Sequence, residues 1–400
     1  MKTYISPWPT PENMPAWPRA VVILGSTGSI GTNALDVIGQ HESMFRVTAL
    51  AGATNATLLA KQAARFRPPY LAVISDEVAH ELQTLLPSGY APEILTGPTA
   101  YVTLAELEQA DLVLSTIVGA AGFLPTLAAA KAGKAIALAN KESLVLGGHL
   151  IREACQASGA VILPVDSEHN ALFQGLMGHN GDSELKKLIL TASGGPFRGR
   201  DRKFLETVTR DQALAHPNWD MGAKISIDSS TLMNKGLEII EACHLYGLPM
   251  QQVDVVVHPQ SIIHSLVEYV DGSQLAHLGV PDMRIPIAHC LCFPRRVPLD
   301  MPGLNLADVG NLTFEQPDMQ AFPCLRLARE AFESGPAHTI ALNAANEVAV
   351  ELFLKERIRY MDIPAMIEHA LESVGNENVA CADSVLALDR ATREKAMTRA

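Results

Sequence analysis

Two carboxylates one residue apart, Asp166 and Glu168 in Val165-Asp166-Ser167-Glu168-His169-Asn170, are the first place this chain could do chemistry. In extended backbone they fall on the same face. Anions held together repel unless a cation lies between them, and their hard oxygens suit Mg²⁺ or Mn²⁺ better than zinc. A solvated turn with capping carboxylates is the plainer account of a bare D-x-E. A second cluster, Asp228 to Glu238, brings Asn234, Lys235 and Glu238 onto one helical face by i,i+3 and i,i+4 spacing. Lys and Asn near a helix start, beside the hydroxyls of Ser229 to Thr231, could hold a phosphate, and Glu238 could add a third carboxylate to a metal. Standing alone, the same segment is a solvated Lys–Glu pair. Ser193-Gly194-Gly195 is a further anion-cradle candidate. His216 could donate to an anion or move a proton, and Trp219 in a polar loop suits a lid as well as it suits packing on a neighbouring surface.

A third motif concerns a cofactor. Ala20–Leu24 is a short apolar run that ends in Gly25, Gly28 and Gly31, set three apart, and a helical pattern follows. Strand, tight turn and an unobstructed helix start let backbone N–H groups approach a pyrophosphate. The spacing G-x-x-G-x-x-G departs from the usual dinucleotide fingerprint. No acidic residue stands at the end of the second strand, Leu50 to Asn55. A carboxylate there would repel a 2′-phosphate, so its absence favours NADP over NAD. Asn140-Lys141-Glu142-Ser143 follows another apolar strand, which places Lys141 where it could meet substrate or nicotinamide. The segment is equally an ordinary capped turn.

These residues need a frame, and the sequence sketches one. Strand patterns at Ala20–Leu24, Phe45–Leu50, Tyr70–Ile74, Asp111–Ser115, Ala135–Ala139 and Ala160–Pro164 alternate with helical ones such as Thr57–Phe66 and Phe123–Ala132. That alternation predicts an α/β domain with a Rossmann-like, doubly wound parallel sheet over 20–165. An α+β catalytic domain follows over 166–292, with strands at Lys187–Thr191, Lys224–Ile227, Asp254–His258 and Ile263–Val270 and a helix from about Ser230 to Tyr246. Ser193–Met221 has few apolar anchors and reads as a mobile functional loop, a flap. Residues 293–318 read as a linker and 319–400 as a helical bundle, with helices at Cys324–Glu333, Leu342–Lys355, Ile363–Leu371 and Ser384–Met397. Residues 1–19, proline-rich, read as an arm packed on the surface; they resemble neither a signal peptide nor a transit peptide.

Composition narrows the class. With 48% hydrophobic residues the chain can bury large cores, and a net charge of -12 argues against nucleic acid as a partner. The six cysteines are scattered and read as reduced core thiols of a cytoplasmic protein. No stretch is apolar and long enough to span a membrane. His258 and His264 lack helical zinc spacing and read as structural or dimer-interface residues, with His264 able to support the ligands from behind.

Taken together, the motifs resemble the 1-deoxy-D-xylulose 5-phosphate reductoisomerase family. Gly25–Gly31, Ala139–Ser143, Pro164–Asn170, Ser193–Phe197, His216–Met221, Ile227–Glu238, His258–Ser265 and Ala341–Glu347 carry the likeness, which spans about residues 20–400. The resemblance implies a homodimer with an NADPH domain, a catalytic domain bearing a flexible flap, and a C-terminal helical domain. It implies Asp166, Glu168 and Glu238 as ligands of Mg²⁺, Mn²⁺ or Co²⁺. Ser193, Ser229, Asn234 and Lys235 match the site for the phosphate of a phosphorylated sugar, and Lys141 and Ser167 match contacts to its carbon backbone. Lys141, Glu168 and His216 are the expected catalytic residues. Thr27, Gly28, Ser29, Ile30, Ala53, Asn55, Asn140, Glu142 and Gly222 match cofactor contacts. Many members carry a basic residue where this chain has Thr54. The family's reaction rearranges the substrate's carbon skeleton by a retro-aldol and aldol sequence to a branched aldehyde. NADPH then reduces that aldehyde to 2-C-methyl-D-erythritol 4-phosphate for isoprenoid precursors. The competing readings are an NADP-dependent aldehyde or semialdehyde dehydrogenase without carbon migration, and a nicotinamide-sensing regulator.

Overall fold

A computed structural model describes residues 4–177, 184–219, 221–375 and 377–398. Met1 to Thr3 of the arm, Asp220 of the His216–Met221 motif and the last two residues lie outside them. Strands β1 (Arg19–Leu24), β2 (Phe45–Ala51), β3 (Tyr70–Val73), β4 (Glu93–Thr96), β5 (Leu112–Ser115), β6 (Ala135–Leu138) and β7 (Val161–Pro164) form a parallel sheet in the order β4-β3-β2-β1-β5-β6-β7. The doubly wound expectation holds. The order reverses between β1 and β5, where open α/β sheets bind ligands at the carboxyl ends of their strands. Strand β1 is buried throughout, as helices on both faces require. Edge strand β4, Glu-Ile-Leu-Thr, has no buried residue and therefore no apolar run to announce it.

A second sheet, in the order β11-β10-β8-β9, joins β8 (Leu185–Ala192), β9 (Val253–Val257), β10 (Ile263–Tyr269) and β11 (Gln274–Leu278). β8 runs parallel to β9 and antiparallel to β10. The strand expected at Lys224–Ile227 is instead part of the helix Ala223–Ser230. Four residues cannot separate period 2 from period 3.6, and the i,i+4 pair Lys224–Asp228, at 2.7 Å, belongs to the helix. The expected helix from Ser230 breaks at Leu232, whose φ is +61°, and restarts as Met233–Tyr246. The segment expected to be a loop with few anchors carries short helices at Arg202–Leu205 and Arg210–Leu214. Its Phe197 is buried and meets the Tyr360 ring edge-on at 5.3 Å.

The C-terminal part is helical as expected: Cys324–Ser334, Pro336–Leu354, Asp362–Ser373 and Ala382–Met397. The arm runs over the surface, with Pro11, Glu12 and Asn13 exposed, but its first described residues are anchored inside the protein. Ile5 is fully buried and donates its N–H to Leu245 O at 2.6 Å, while the Tyr4 hydroxyl donates to Ile162 O at 2.6 Å. Trp8 packs on Phe173 with ring centroids 5.0 Å apart. The arm thus straps β7 to the helix Met233–Tyr246. Prolines and aromatics without periodicity conceal that role in the sequence.

Candidate active site

A cleft of about 520 Å³ opens at the carboxyl ends of β1, β5, β6 and β7 and is closed on its far side by the second sheet and the segment after β8. The chain after β7 turns straight into the helix Ser167–Leu176, with Asp166 as its N-cap. Asp166 Oδ1 accepts the Glu168 N–H at 3.1 Å. The two carboxylates therefore converge because a cap folds over the first turn of its helix, not because they alternate along a strand. The capping account and the ligand account describe the same residue.

Glu238 completes the cluster from the helix Met233–Tyr246. One carboxylate oxygen of each of Asp166, Glu168 and Glu238 lies within 4.8 Å of the others. Three hard oxygen donors at this separation fit a Mg²⁺- or Mn²⁺-sized cation. Two lysines interleave them. Lys141 Nζ donates to Asn234 Oδ1 at 2.6 Å and pairs with Asp166 at 2.9 Å and Glu238 at 3.2 Å. Lys235 Nζ reaches Glu168 at 2.8 Å and Glu238 at 2.5 Å. Burial lowers the pKa of Lys141, but Asp166 and Glu238 outweigh it and hold the ammonium well above its ordinary value. Burial likewise opposes ionisation of Asp166, and Lys141 foremost, with His169 and Lys235, holds it well below the carboxylate range. Glu238, with no exposed side-chain surface, is pushed up to about 7 by burial and by Glu168. Ser167 Oγ donates to Glu168 Oε2 at 2.5 Å. Behind the cluster, His169 pairs with Glu241 at 3.0 Å, and both are buried.

The residues read as an anion cradle come together from three separate stretches. Gly194 and Gly195 have φ of +84° and +67°, and a Cβ on Gly195 would sit 2.9 Å from Ser229 O, so only glycine lets the two turns meet. His216 Nδ1 accepts the N–H groups of Asn218 and Trp219 at 3.2 and 3.0 Å. Its proton is thereby placed on Nε2, which donates to Ser193 Oγ at 2.8 Å. Gly195 N–H also donates to Ser193 Oγ, at 3.1 Å. With both acceptor positions used, the Ser193 hydroxyl proton is free to point into the cleft. Burial lowers the His216 pKa, which favours this neutral form. The break at Leu232 lets Ser229 on one helix and Lys235 on the next line the same cleft.

On the nucleotide side, Gly28, Ser29 and Ile30 line the cleft. The helix Ser29–Gln40 starts there with Gly28 as its N-cap and no capping side chain, so its orphan N–H groups face outward. That start fits the pyrophosphate of a dinucleotide. Thr27, Ala53 and Asn55 do not line the cleft. Thr27 packs beside Gly52, so these residues continue the same edge outward along β2. Asn55 Oδ1 caps the next helix by accepting the Leu58 N–H at 3.0 Å. Asn140 and Glu142 do line it, but their polar atoms are turned inward. Asn140 Nδ2 donates to Ile117 O at 2.6 Å, Gly119 O at 3.1 Å and Glu142 Oε2 at 2.9 Å. Gly222 caps the helix Ala223–Ser230 at the cleft edge.

Lys224 is a cleft residue that the sequence does not single out, and Asp228, read there only as the start of the second cluster, lies inside the helix that carries it. Their i,i+4 spacing was the available signal, masked by the apolar alternation of Ile225 and Ile227. His258 is structural: Nδ1 bonds Thr313 O at 2.9 Å and Nε2 accepts the Ile262 N–H at 3.2 Å. His264 lines the cleft with its ring 6.2 Å from that of Trp219.

Comparison with known proteins gives a consistent result. Family descriptions match residues 21–148 (1-deoxy-D-xylulose 5-phosphate reductoisomerase), 162–246 (1-deoxy-D-xylulose 5-phosphate reductoisomerase C-terminal domain) and 278–395 (DXP reductoisomerase C-terminal domain). The 1-deoxy-D-xylulose 5-phosphate reductoisomerase of Oleidesulfovibrio alaskensis is 60% identical over 397 residues, which is 98% of this chain and 97% of that protein. A crystal structure of DOX-P reductoisomerase in complex with NADPH, fosmidomycin and magnesium superposes with a TM-score of 0.91 at 43% identity, covering 95% of this chain and 98% of that one. The enzyme from Zymomonas mobilis in complex with NADPH gives 0.89 at 42% identity over the same shares.

Proposed function

The chain belongs to the 1-deoxy-D-xylulose 5-phosphate reductoisomerase family, and we propose that its cleft residues divide the family's reaction between a metal wall and a cofactor wall. The protein is an NADPH- and divalent-metal-dependent reductoisomerase that converts 1-deoxy-D-xylulose 5-phosphate to 2-C-methyl-D-erythritol 4-phosphate. One observation carries the division of labour: Lys141, at the end of a nucleotide-domain strand, reaches Asp166, Asn234 and Glu238 at once. When bound, a divalent cation polarises a carbonyl and lowers the pKa of a neighbouring hydroxyl, and NADPH supplies hydride.

Asp166, Glu168 and Glu238 hold the cation. Lys141 and Ser167 orient the sugar's carbon chain beside it, and Lys141 supplies positive charge where a substrate oxygen becomes negative. Ser193, Ser229, Asn234 and Lys235 take the phosphate, and His216, by fixing Ser193, turns that hydroxyl toward it. Phosphate binding remote from the reacting carbons can then close the 193–221 segment and exclude water. Thr27, Gly28, Ser29, Ile30, Ala53, Asn55 and Gly222 line the cofactor's path, and Asn140 and Glu142 shape its wall. The domain divisions 1–19, 20–165, 166–292, 293–318 and 319–400, a homodimer and a cytoplasmic setting complete the proposal. No helix among the described residues is long and apolar enough to cross a membrane. A semialdehyde dehydrogenase would need a thiolate at the cleft, and among the described residues no cysteine lines it.

The test is NADPH absorbance with 1-deoxy-D-xylulose 5-phosphate, with and without Mg²⁺ or Mn²⁺. Metal-dependent oxidation is expected. Glu238→Gln should abolish turnover and weaken Mn²⁺ binding by at least about 100-fold, the upper end for loss of a mere supporting group, while NADPH affinity is kept. Full activity in that variant refutes the ligand set.

A further inference from the structure

Lys224 has no role in the scheme above, yet it sits where all three parts of the chain meet. Its side chain is 19% exposed and Nζ makes two ion pairs: Glu142 Oε1 at 2.5 Å and Asp228 Oδ2 at 2.7 Å. Glu142 belongs to the nucleotide domain, follows Lys141 directly, and through its other oxygen holds Asn140, which ties down the carbonyls of Ile117 and Gly119. The loop Thr116–Val118 lines the cofactor side of the cleft. Asp228 stands on the opposite wall, one residue before Ser229, and its Oδ1 accepts from Asn346 Nδ2 at 2.9 Å. Asn346 lies on the C-terminal helix Pro336–Leu354.

The next residue of that helix reaches the other wall. Glu347 Oε1 accepts the Ala120 N–H at 3.0 Å, and Arg393 of the last helix secures the carboxylate at 2.6 Å. The approach is close: a Cβ on Gly119, whose φ is +75°, would lie 3.1 Å from the Glu347 oxygens. Two consecutive residues of one buried helix thus grip both sides of the cleft. This absorbs the motif Ala341–Glu347, whose chemistry nothing else in the site uses. Lys224 closes the circuit between the two walls, two residues after Gly222, the N-cap of the helix Ala223–Ser230.

We propose that Lys224 is a positioning residue: with Asn346, its ion pairs to Glu142 and Asp228 fix the distance between the cofactor wall and the metal wall. Hydride transfer needs the nicotinamide carbon held at a set distance from a substrate anchored on the far wall, and misplacement of about 1 Å can cost 100-fold in rate. Removing Lys224 leaves Glu142 and Asp228 facing each other without a cation. They move apart, and Asn140 and the Ile117–Gly119 loop move with Glu142. The carboxylate cluster keeps anchors that Lys224 does not touch: Lys235, which pairs with Glu168 and Glu238, and the helices Ser167–Leu176 and Met233–Tyr246 that carry the ligands. The inference rests on the reductoisomerase reading for its rates but not for its binding measurements.

The experiment uses full-length Lys224→Met, which keeps an unbranched stem as far as Cε and removes the ammonium. NADPH affinity is read by fluorescence titration, Mn²⁺ affinity by electron paramagnetic resonance, and turnover with NADPH deuterated at the transferred position. The expected result is an NADPH dissociation constant at least tenfold higher, kcat at least tenfold lower with a larger primary isotope effect, and Mn²⁺ affinity within twofold of the parent. Lys224→Arg should restore at least half of the lost NADPH affinity. NADPH affinity and kcat both within twofold of the parent overturn the proposal. So does parallel loss of NADPH and Mn²⁺ binding, which makes Lys224 general scaffolding. If Lys224→Met does not accumulate folded, Asn346→Ala leaves both lysine pairs intact, removes the third-domain anchor and is held to the same NADPH-against-Mn²⁺ split. Inactivity of the parent protein would strike the reductoisomerase reading alone, because the two binding titrations still decide this one.

Discussion

Replacing Gly31 with alanine should open the dinucleotide turn while leaving the metal wall intact. An ideal Cβ at position 31 lies 2.3 Å from Gly25 O, 2.5 Å from Ser26 Cα and 2.7 Å from Ser26 C, all backbone atoms that cannot swing aside. Restoring ordinary contact requires the helix start to retreat by about 1 Å. The turn resists, because the N–H groups of Gly25 and Ser26 both bond Ala51 O, at 2.9 and 2.7 Å, and Gly28 N–H bonds Gly25 O at 3.1 Å. Two such bonds stretched beyond use cost about 0.5–1.5 kcal/mol each, and overpacking of this kind costs about 1–3 kcal/mol. Alanine regains about 1 kcal/mol over glycine inside a helix. The cost therefore wins by about 1–5 kcal/mol, and its midpoint of about 3 kcal/mol, read as NADPH affinity, is about a 150-fold loss. Fluorescence titration with NADPH measures it, and Mn²⁺ binding, made by residues on other elements, serves as the control. A Gly31→Ala variant that binds NADPH within threefold of the parent and unfolds at the same midpoint would refute the reasoning.

Two further outcomes concern stability. His244 and His289 are each pushed down to about 3, in both cases by burial first, helped by neighbouring cations. An unfolded histidine titrates near 6.5, so between that value and about 3 the unfolded chain takes up protons the folded one refuses. Their contribution is complete above pH 6.5 and lost as pH falls, at about 1.4 kcal/mol per pH unit for each group. Urea midpoints at pH 7.5, 6 and 5 should therefore decline less steeply in His244→Gln than in the parent, and parallel declines would contradict the assignment. Ile5→Ala, at a fully buried position of the arm, should cost about 2–5 kcal/mol. A denaturant midpoint unchanged within error would show that the Ile5 anchor does not strap the fold.

What could be read in advance depended on whether the determinants were contiguous. The run Ala20–Gly31 contains its strand, its turn and its helix start within a dozen residues, so its geometry is legible in the chain. Asp166 and Glu168 were visible as a pair, but the wrong local structure brought them together: one caps the helix that carries the other. Lys235 and Glu238 read equally well as a solvated surface pair, because nothing local says that the helix Met233–Tyr246 is buried on nearly every side. Lys224, Asn346 and Glu347 were opaque for the same reason. Their partners lie 82, 118 and 227 positions away, and no periodicity reports a contact that arises only when distant parts of the chain close on one another. The edge strands β4 and β11 were missed because neither has a buried residue, so their apolar positions, Ile94 and Leu95 or Leu275 and Leu278, form no run or alternation that sets them apart from a loop.

The density of buried charge around the cleft argues that the fold supports the site and not the reverse. Exchanging a buried ion pair for apolar groups of the same shape is often neutral or stabilising, whereas deleting one member costs about 3–5 kcal/mol. Lys141, Glu142, Asp228, Lys235, Glu238 and Glu241 are all buried here. Their retention cannot be explained by stability, since leucines and methionines would fill the same volume at less risk. The surroundings are what hold them: Val165 just before one carboxylate helix, Leu172 and Phe173 on it, and Leu237, Ile239 and Ile240 on the other have no exposure. Those apolar neighbours fix the rotamers on which the three oxygens converge. A core substitution such as Leu237→Ala should therefore weaken Mn²⁺ binding while touching no ligand, because the cavity it leaves lets Glu238 leave the position its two lysines and Asn234 define.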